Sequence, residues 1–272
     1  MNQEKNRLRL SAVIAALMFL VMLTLNGMAN ALPLNGVNTG QLSDEIPNLF
    51  VPAGLTFAIW GLIYLLLLGY AVTIIAGAFR KADAPGWTAA DGWIFSLNAL
   101  LNAIWILAWH WRMIPLSMLL MLGIFGTLVL LMERNHRAFA ILPAATSNGE
   151  KLRRFFIRVP ILVYLGWISV ATIANVTALL VTAGWNGFGL DPAIWTIIVI
   201  AAGTVVGSLL ALMRGAVSSA LVVVWAYAGI ILKRSSIAEA SSTPIIVAAA
   251  LGTLVVLVAI IIQLVSRTRR TS

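Results

Sequence analysis

Residues 10–28 read LSAVIAALMFLVMLTLNGM, nineteen positions without a charged side chain. A helix rising about 1.5 Å per residue carries such a run across nearly 30 Å, the thickness of a bilayer's hydrocarbon core. Comparable runs recur along the chain and predict spans at 10–32, 53–78, 93–110, 113–132, 159–183, 192–213, 216–232 and 244–265. Composition agrees: 61% of the 272 residues are apolar, 10% are charged and the mean hydropathy is +0.99, against about 45–50% and 25% in soluble domains. The fold class is therefore an all-α integral membrane protein with eight spans, and a water-soluble globule is excluded.

Charge sets the orientation. Lys and Arg collect in short cytoplasmic loops, and with both termini cytoplasmic only Arg112, Lys233 and Arg234 of the eighteen basic residues fall outside. The net charge of +9 is thus topological, nucleic acid is not an expected partner, and the basic inner loop 133–158 serves as an anchor. Lys5, Arg7 and Arg9 before an apolar run, with Ala29-Asn30-Ala31 after it, imitate a signal peptide. The run exceeds the usual h-region of about 7–15 residues, so the first span is expected to be retained. The outer loop 33–52 contains Asn35-Gly36, Gly40, Pro47 and Pro52 and reads as turns rather than a helix; loops of this length are often functional. A turn between Thr182 and Pro192 divides the chain into a five-span domain, 1–185, and a three-span domain, 186–272.

The inventory narrows the chemistry. There is no cysteine, which removes disulfides, thiolate nucleophiles and Cys-ligated metals. All nine carboxylates and both histidines lie in loops or at span ends, whereas proton-coupled transporters keep ionisable groups at depth. No metal site and no catalytic residue is expected, and His110, between Trp109 and Trp111, reads as an interfacial residue. What enters the spans is amide and aromatic. Asn98, Asn102, Trp105 and Trp109 are spaced 4, 3 and 4, on one helical face; Trp60 and Tyr64 are one turn apart; Tyr164, Trp167, Ala171 and Asn175 are spaced 3, 4 and 4. An amide facing lipid would leave its donors and acceptors unpaired, so these faces turn inward. Two readings stay open: the asparagines hold helices together by hydrogen bonds, or they edge an aromatic cavity suited to a flat apolar ligand.

Pro52-Ala53-Gly54-Leu55-Thr56-Phe57-Ala58-Ile59-Trp60-Gly61-Leu62-Ile63-Tyr64 resembles the Pro-Pro-Gly, Trp and Tyr stretch of the second helix in the TspO/MBR family, the tryptophan-rich sensory proteins related to translocator protein. Leu97–Trp105 is similar to that family's third-helix Asn-and-Trp motif, and Val163–Asn175 to its fifth-helix motif. The resemblance covers about residues 10–183. It implies a five-helix bundle, often a homodimer, that binds porphyrins and other hydrophobic ligands beneath the first loop. Carried over, the ligand-binding residues are Trp60, Tyr64, Asn98, Asn102, Trp105, Trp167, Ala171 and Asn175, with Phe50, Pro52 and Gly54 in a loop lid.

The first loop lacks the family's Trp-Tyr pair, and Phe50 stands where its aromatic before Pro-Pro-Gly is Trp, so the lid is expected to grip a different ligand. The last three spans are read as an addition to the five, with Gly203 and Gly207 in GxxxG spacing for close packing. Val224-Trp225-Ala226-Tyr227 followed by Lys233 is only a weak sterol-contact pattern. The expectation is a cytoplasmic inner-membrane binding or sensory protein for a porphyrin-like or other hydrophobic ligand, with no cofactor required. A transporter or permease for a hydrophobic or tetrapyrrole substrate is the alternative, and an enzyme acting on the bound ligand is a third class.

Overall fold

The computed structural model describes residues 2–32, 34–79, 86–237 and 239–269. The basic residues Arg80, Lys81 and Arg270, and Asp83, which entered the charge reading, lie outside the described residues. Among those described there are nine α-helices: α1 (Asn2–Ala31), α2 (Thr39–Glu45), α3 (Ile59–Phe79), α4 (Ala89–His110), α5 (Ile114–Ala140), α6 (Asn148–Thr182), α7 (Pro192–Arg214), α8 (Val217–Ser235) and α9 (Ser242–Arg269). Eight are long and apolar enough to cross a membrane, and the chain is a multi-span all-α membrane protein.

The exception is α2, which corrects the expectation that 33–52 holds only turns. Asn35 and Gly36 do turn, with φ of 57° and 83°. From Thr39, however, eight residues precede the next proline, the first seven of them helical, and Thr39 and Leu42, one turn apart, are both buried. Burial of that face outweighs the local helix cost of Gly40.

The helices fall into two compact units, Met1–Asn38 with Trp60–Leu165, and Thr39–Ile59 with Gly166–Ser272. In the first, a phenylalanine and a tyrosine fill the space between α3 and α4: Tyr70 and Phe95 have ring centroids 4.8 Å apart, and Trp87 Nε1 donates to the Tyr70 hydroxyl at 3.0 Å. α4 opens on a charged cluster at its membrane edge. Asp91 is almost wholly buried, accepting from the Thr88 backbone N–H at 2.8 Å and from Arg134 Nε of α5 at 2.5 Å. The carboxylate thus caps the helix and neutralises an arginine without entering the apolar interior of the span.

In the second unit α7, α8 and α9 pack around Tyr227. Its hydroxyl donates to the Ile200 carbonyl at 2.5 Å, beside Gly203 and Gly252. A Cβ at Gly203 would lie 2.6 Å from that oxygen, and one at Gly207 would lie 3.3 Å from Val223 Cγ2. The GxxxG spacing therefore does serve close packing, as small residues do where lipid offers no hydrophobic drive for helix association. Of the sterol-contact pattern, Tyr227 is fully buried and spent on internal packing, while Trp225 donates from Nε1 to the Thr56 carbonyl at 3.0 Å and keeps 42% of its surface exposed. The turn before α7 gathers Trp185, Phe188 and Trp195, the first and last 4.9 Å apart, as an aromatic cluster of the kind that sits at membrane interfaces.

Candidate functional site

Unit one carries a polar thread through an otherwise apolar interior. Asn26 of α1 spends one amide hydrogen on the Met22 carbonyl at 2.8 Å and the other on Asn102 Oδ1 of α4, also at 2.8 Å. Asn102 Nδ2 then donates to the Tyr164 hydroxyl of α6 at 2.7 Å. All three side chains are at most 2% exposed. Three helices are thereby tied at one level, and both ends of the Asn102 amide are satisfied by protein.

Against this thread lies an aromatic cluster centred on Trp60. Its ring stacks on Tyr64 at 5.5 Å and 18°, meets Trp105 at 6.5 Å and 33°, and meets Tyr164 edge-on at 5.9 Å and 63°. Trp105 in turn stacks on Trp109 at 6.0 Å. Trp60 and Trp105 are buried and Tyr64 is half-buried. Five α3 and α4 residues named from the sequence thus lie in unit one, and four of them, Trp60, Tyr64, Asn102 and Trp105, gather here. Asn98 does not join them. Its Nδ2 turns to α5, bonding the Ile124 carbonyl at 3.1 Å and the Thr127 hydroxyl at 2.8 Å, so it fastens two helices.

Trp167, Ala171 and Asn175 belong to unit two. There Trp167 meets Phe57 edge-on at 5.8 Å, Asn175 is buried and Ala171 is half-buried. The loop residues Phe50 and Pro52 are buried and Gly54 is exposed. Asn48 Oδ1 accepts the Phe50 and Val51 N–H groups at 3.1 Å. The segment is also seated on α8: the Ala53 N–H donates to the Gly229 carbonyl at 3.0 Å, and Thr56 occupies the space a side chain at Gly229 would need.

Asn26 is a residue that the reading of the sequence passed over, and the signal available was a single amide in the apolar run quoted at the outset. Tyr164 stood on a stripe but was not assigned to the site. His110 is packed more deeply among protein atoms than its place between two tryptophans suggests. At the C-terminal end of α4 it is fully buried against protein: Nδ1 lies 2.8 Å from the Ile106 carbonyl, which makes it the protonated nitrogen, and its own carbonyl accepts from Asn35 Nδ2 at 2.9 Å. Nε2 has no partner among the described residues. No group of three or more His, Asp or Glu side chains placed to hold a metal occurs among the described residues.

Compared with known families, the chain matches the one described as TSPO-like protein over residues 12–262, a stretch that includes the last three spans. No curated protein and no solved structure matches it. The match covers most of the 272 residues, and its compass takes in the Trp60 cluster, the amide thread and all eight spans. The chain belongs to the TSPO-like family, as a multi-pass membrane protein of the ligand-binding, sensory or transport kind.

Proposed function

We propose that this protein binds a flat, largely apolar ligand of the porphyrin type against Trp60 in unit one, and serves as a binding or sensory protein of the cytoplasmic membrane. One observation carries the reading: the Trp60 ring touches three other aromatic rings within 6.5 Å, in a region whose hydrogen-bonding groups are largely paired with one another. Such a surface discriminates by shape and π contact rather than by charge. A planar ring seated between two aromatic faces needs about 7–8 Å between them. Trp60 and Trp105 stand at 6.5 Å and tilted by 33°, so a ligand seated between them parts the two rings by about 1 Å and levels them. The Asn26–Asn102–Tyr164 thread ties α4 to α6, the helices that bear Trp105 and Tyr164, and so lowers the entropic cost of holding those two rings beside Trp60.

The test is a protoporphyrin IX titration of the full chain in lipid nanodiscs, followed by tryptophan quenching. Loss of one stacked indole removes about 2 kcal/mol of contact and apolar burial, so Trp60→Ala weakens binding about thirtyfold. Trp185→Ala, in the outer aromatic cluster, leaves the affinity unchanged. Equal affinities for wild type and Trp60→Ala would sink the assignment. Saturable binding without flux across proteoliposomes supports the sensory reading, and flux abolished by Asn102→Leu would replace it with transport.

A further inference from the structure

The two outer basic residues of α8, which run against the orientation rule, have a local explanation in unit two. Lys233 ion-pairs with Asp44. Arg234, next along the helix, is only 4% exposed and lines a cavity of about 560 Å³. The loop 43–51, the start of α7 and the turn after α8 form the other walls. Arg234 Nε has no hydrogen-bond partner among the described residues. The three carboxylates of the same cavity are engaged elsewhere: Asp44 with Lys233, Asp191 as the cap of α7 through the Ala193 N–H at 2.7 Å, and Glu239 accepting from the Ser241 hydroxyl at 3.3 Å. A guanidinium stripped of water without a counter-ion costs several kcal/mol, and its planar fork matches a carboxylate.

We infer that this cavity is a second binding site, for a small organic monocarboxylate whose charged head pairs with Arg234 and whose apolar body lies on Ile46, Pro47, Leu49, Val51, Pro192 and Ile237. The volume is that of a site for a drug-sized molecule. The charge of the walls selects one negative charge over two. Lys233 and Arg234 face Asp44, Asp191 and Glu239; with Lys233 paired to Asp44 and Arg234 to the ligand, Asp191 and Glu239 repel any anion, and repel a phosphate dianion about twice as strongly as a monocarboxylate. The inference stands independently of the Trp60 reading, because no residue is shared.

Equilibrium dialysis of the full chain in nanodiscs tests it with three probes of one body: 4-phenylbutyrate, 4-phenylbutan-1-ol and 4-phenylbutyl phosphate. Phenylbutyrate binds saturably, the alcohol binds about tenfold more weakly or worse, and Arg234→Gln lowers phenylbutyrate affinity by the same factor. Glu239→Gln, which removes a wall charge without touching the arginine, tightens phenylbutyrate binding at least about twofold, and this arm decides the matter should Arg234→Gln not fold. Equal binding of acid and alcohol, tighter binding of the phosphate, unchanged or weaker binding in Glu239→Gln, or no saturable uptake would each overturn the site.

Discussion

Replacing Asn102 by alanine tests whether the amide thread is the fastening of unit one. The substitution removes two hydrogen bonds, of 2.8 and 2.7 Å, and strands one Asn26 N–H and the Tyr164 hydroxyl in a dry interior. Hydrogen bonds between transmembrane helices are worth about 0.6–1.7 kcal/mol each, and a stranded polar group adds about 1 kcal/mol or more, so the expected loss is about 2–4 kcal/mol. Asn26→Ala costs less, because the Asn102–Tyr164 link survives. The decisive quantity is the interaction energy from the double mutant, expected at about 0.6–1.7 kcal/mol since the two amides touch directly. Sodium dodecyl sulfate titration of the protein in mixed micelles, followed by circular dichroism, measures it. Asn98→Ala supplies the contrast: it lies one turn away but bonds α5, so its effect adds to that of Asn102→Ala. Strict additivity of Asn26→Ala and Asn102→Ala, within about 0.3 kcal/mol, would refute the thread.

In unit two, Gly203→Ala places a Cβ 2.6 Å from the Tyr227 hydroxyl and costs about 1–3 kcal/mol of overpacking; Tyr227→Phe in the same chain removes the obstructing oxygen and recovers part of that loss in the same unfolding titration. The natural absence of cysteine permits a topology test: in sealed right-side-out vesicles a membrane-impermeant maleimide labels Ser43→Cys and leaves Ser147→Cys unlabelled, and the reverse pattern would invert the orientation drawn from the basic residues.

All eight spans were legible because charge-free runs near bilayer length have one stable outcome in lipid, and their ends were marked by Pro192, Gly215 and the charged clusters. α2 was not, since its seven residues are polar or glycine except for Leu42, and only burial of that leucine makes them helical. Within the candidate site, spacing put Asn98 and Asn102 on one face, yet α4 is buried on more than one side, and four residues of helix turn one amide to α5 and the other to α1 and α6. Asn26 stayed hidden for a related reason: its partner is 76 positions away, and no local pattern pairs them. Arg234 counted as an exception to an orientation rule because its explanation is a cavity closed by segments nearly two hundred residues apart.

The thread also has a direction. A carbonyl can only accept, so the Met22 end compels Asn26 to present N–H groups on both sides, which compels Asn102 to turn its oxygen toward Asn26 and its nitrogen toward Tyr164. The tyrosine oxygen therefore receives, and its own proton has no acceptor among the described residues. A molecule arriving beside Trp60 meets a fixed donor at the end of a polarised chain. That O–H favours an edge that offers a lone pair over one that offers an N–H, which gives an aromatic surface that is otherwise blind to orientation one way to tell which edge of its guest has come in first.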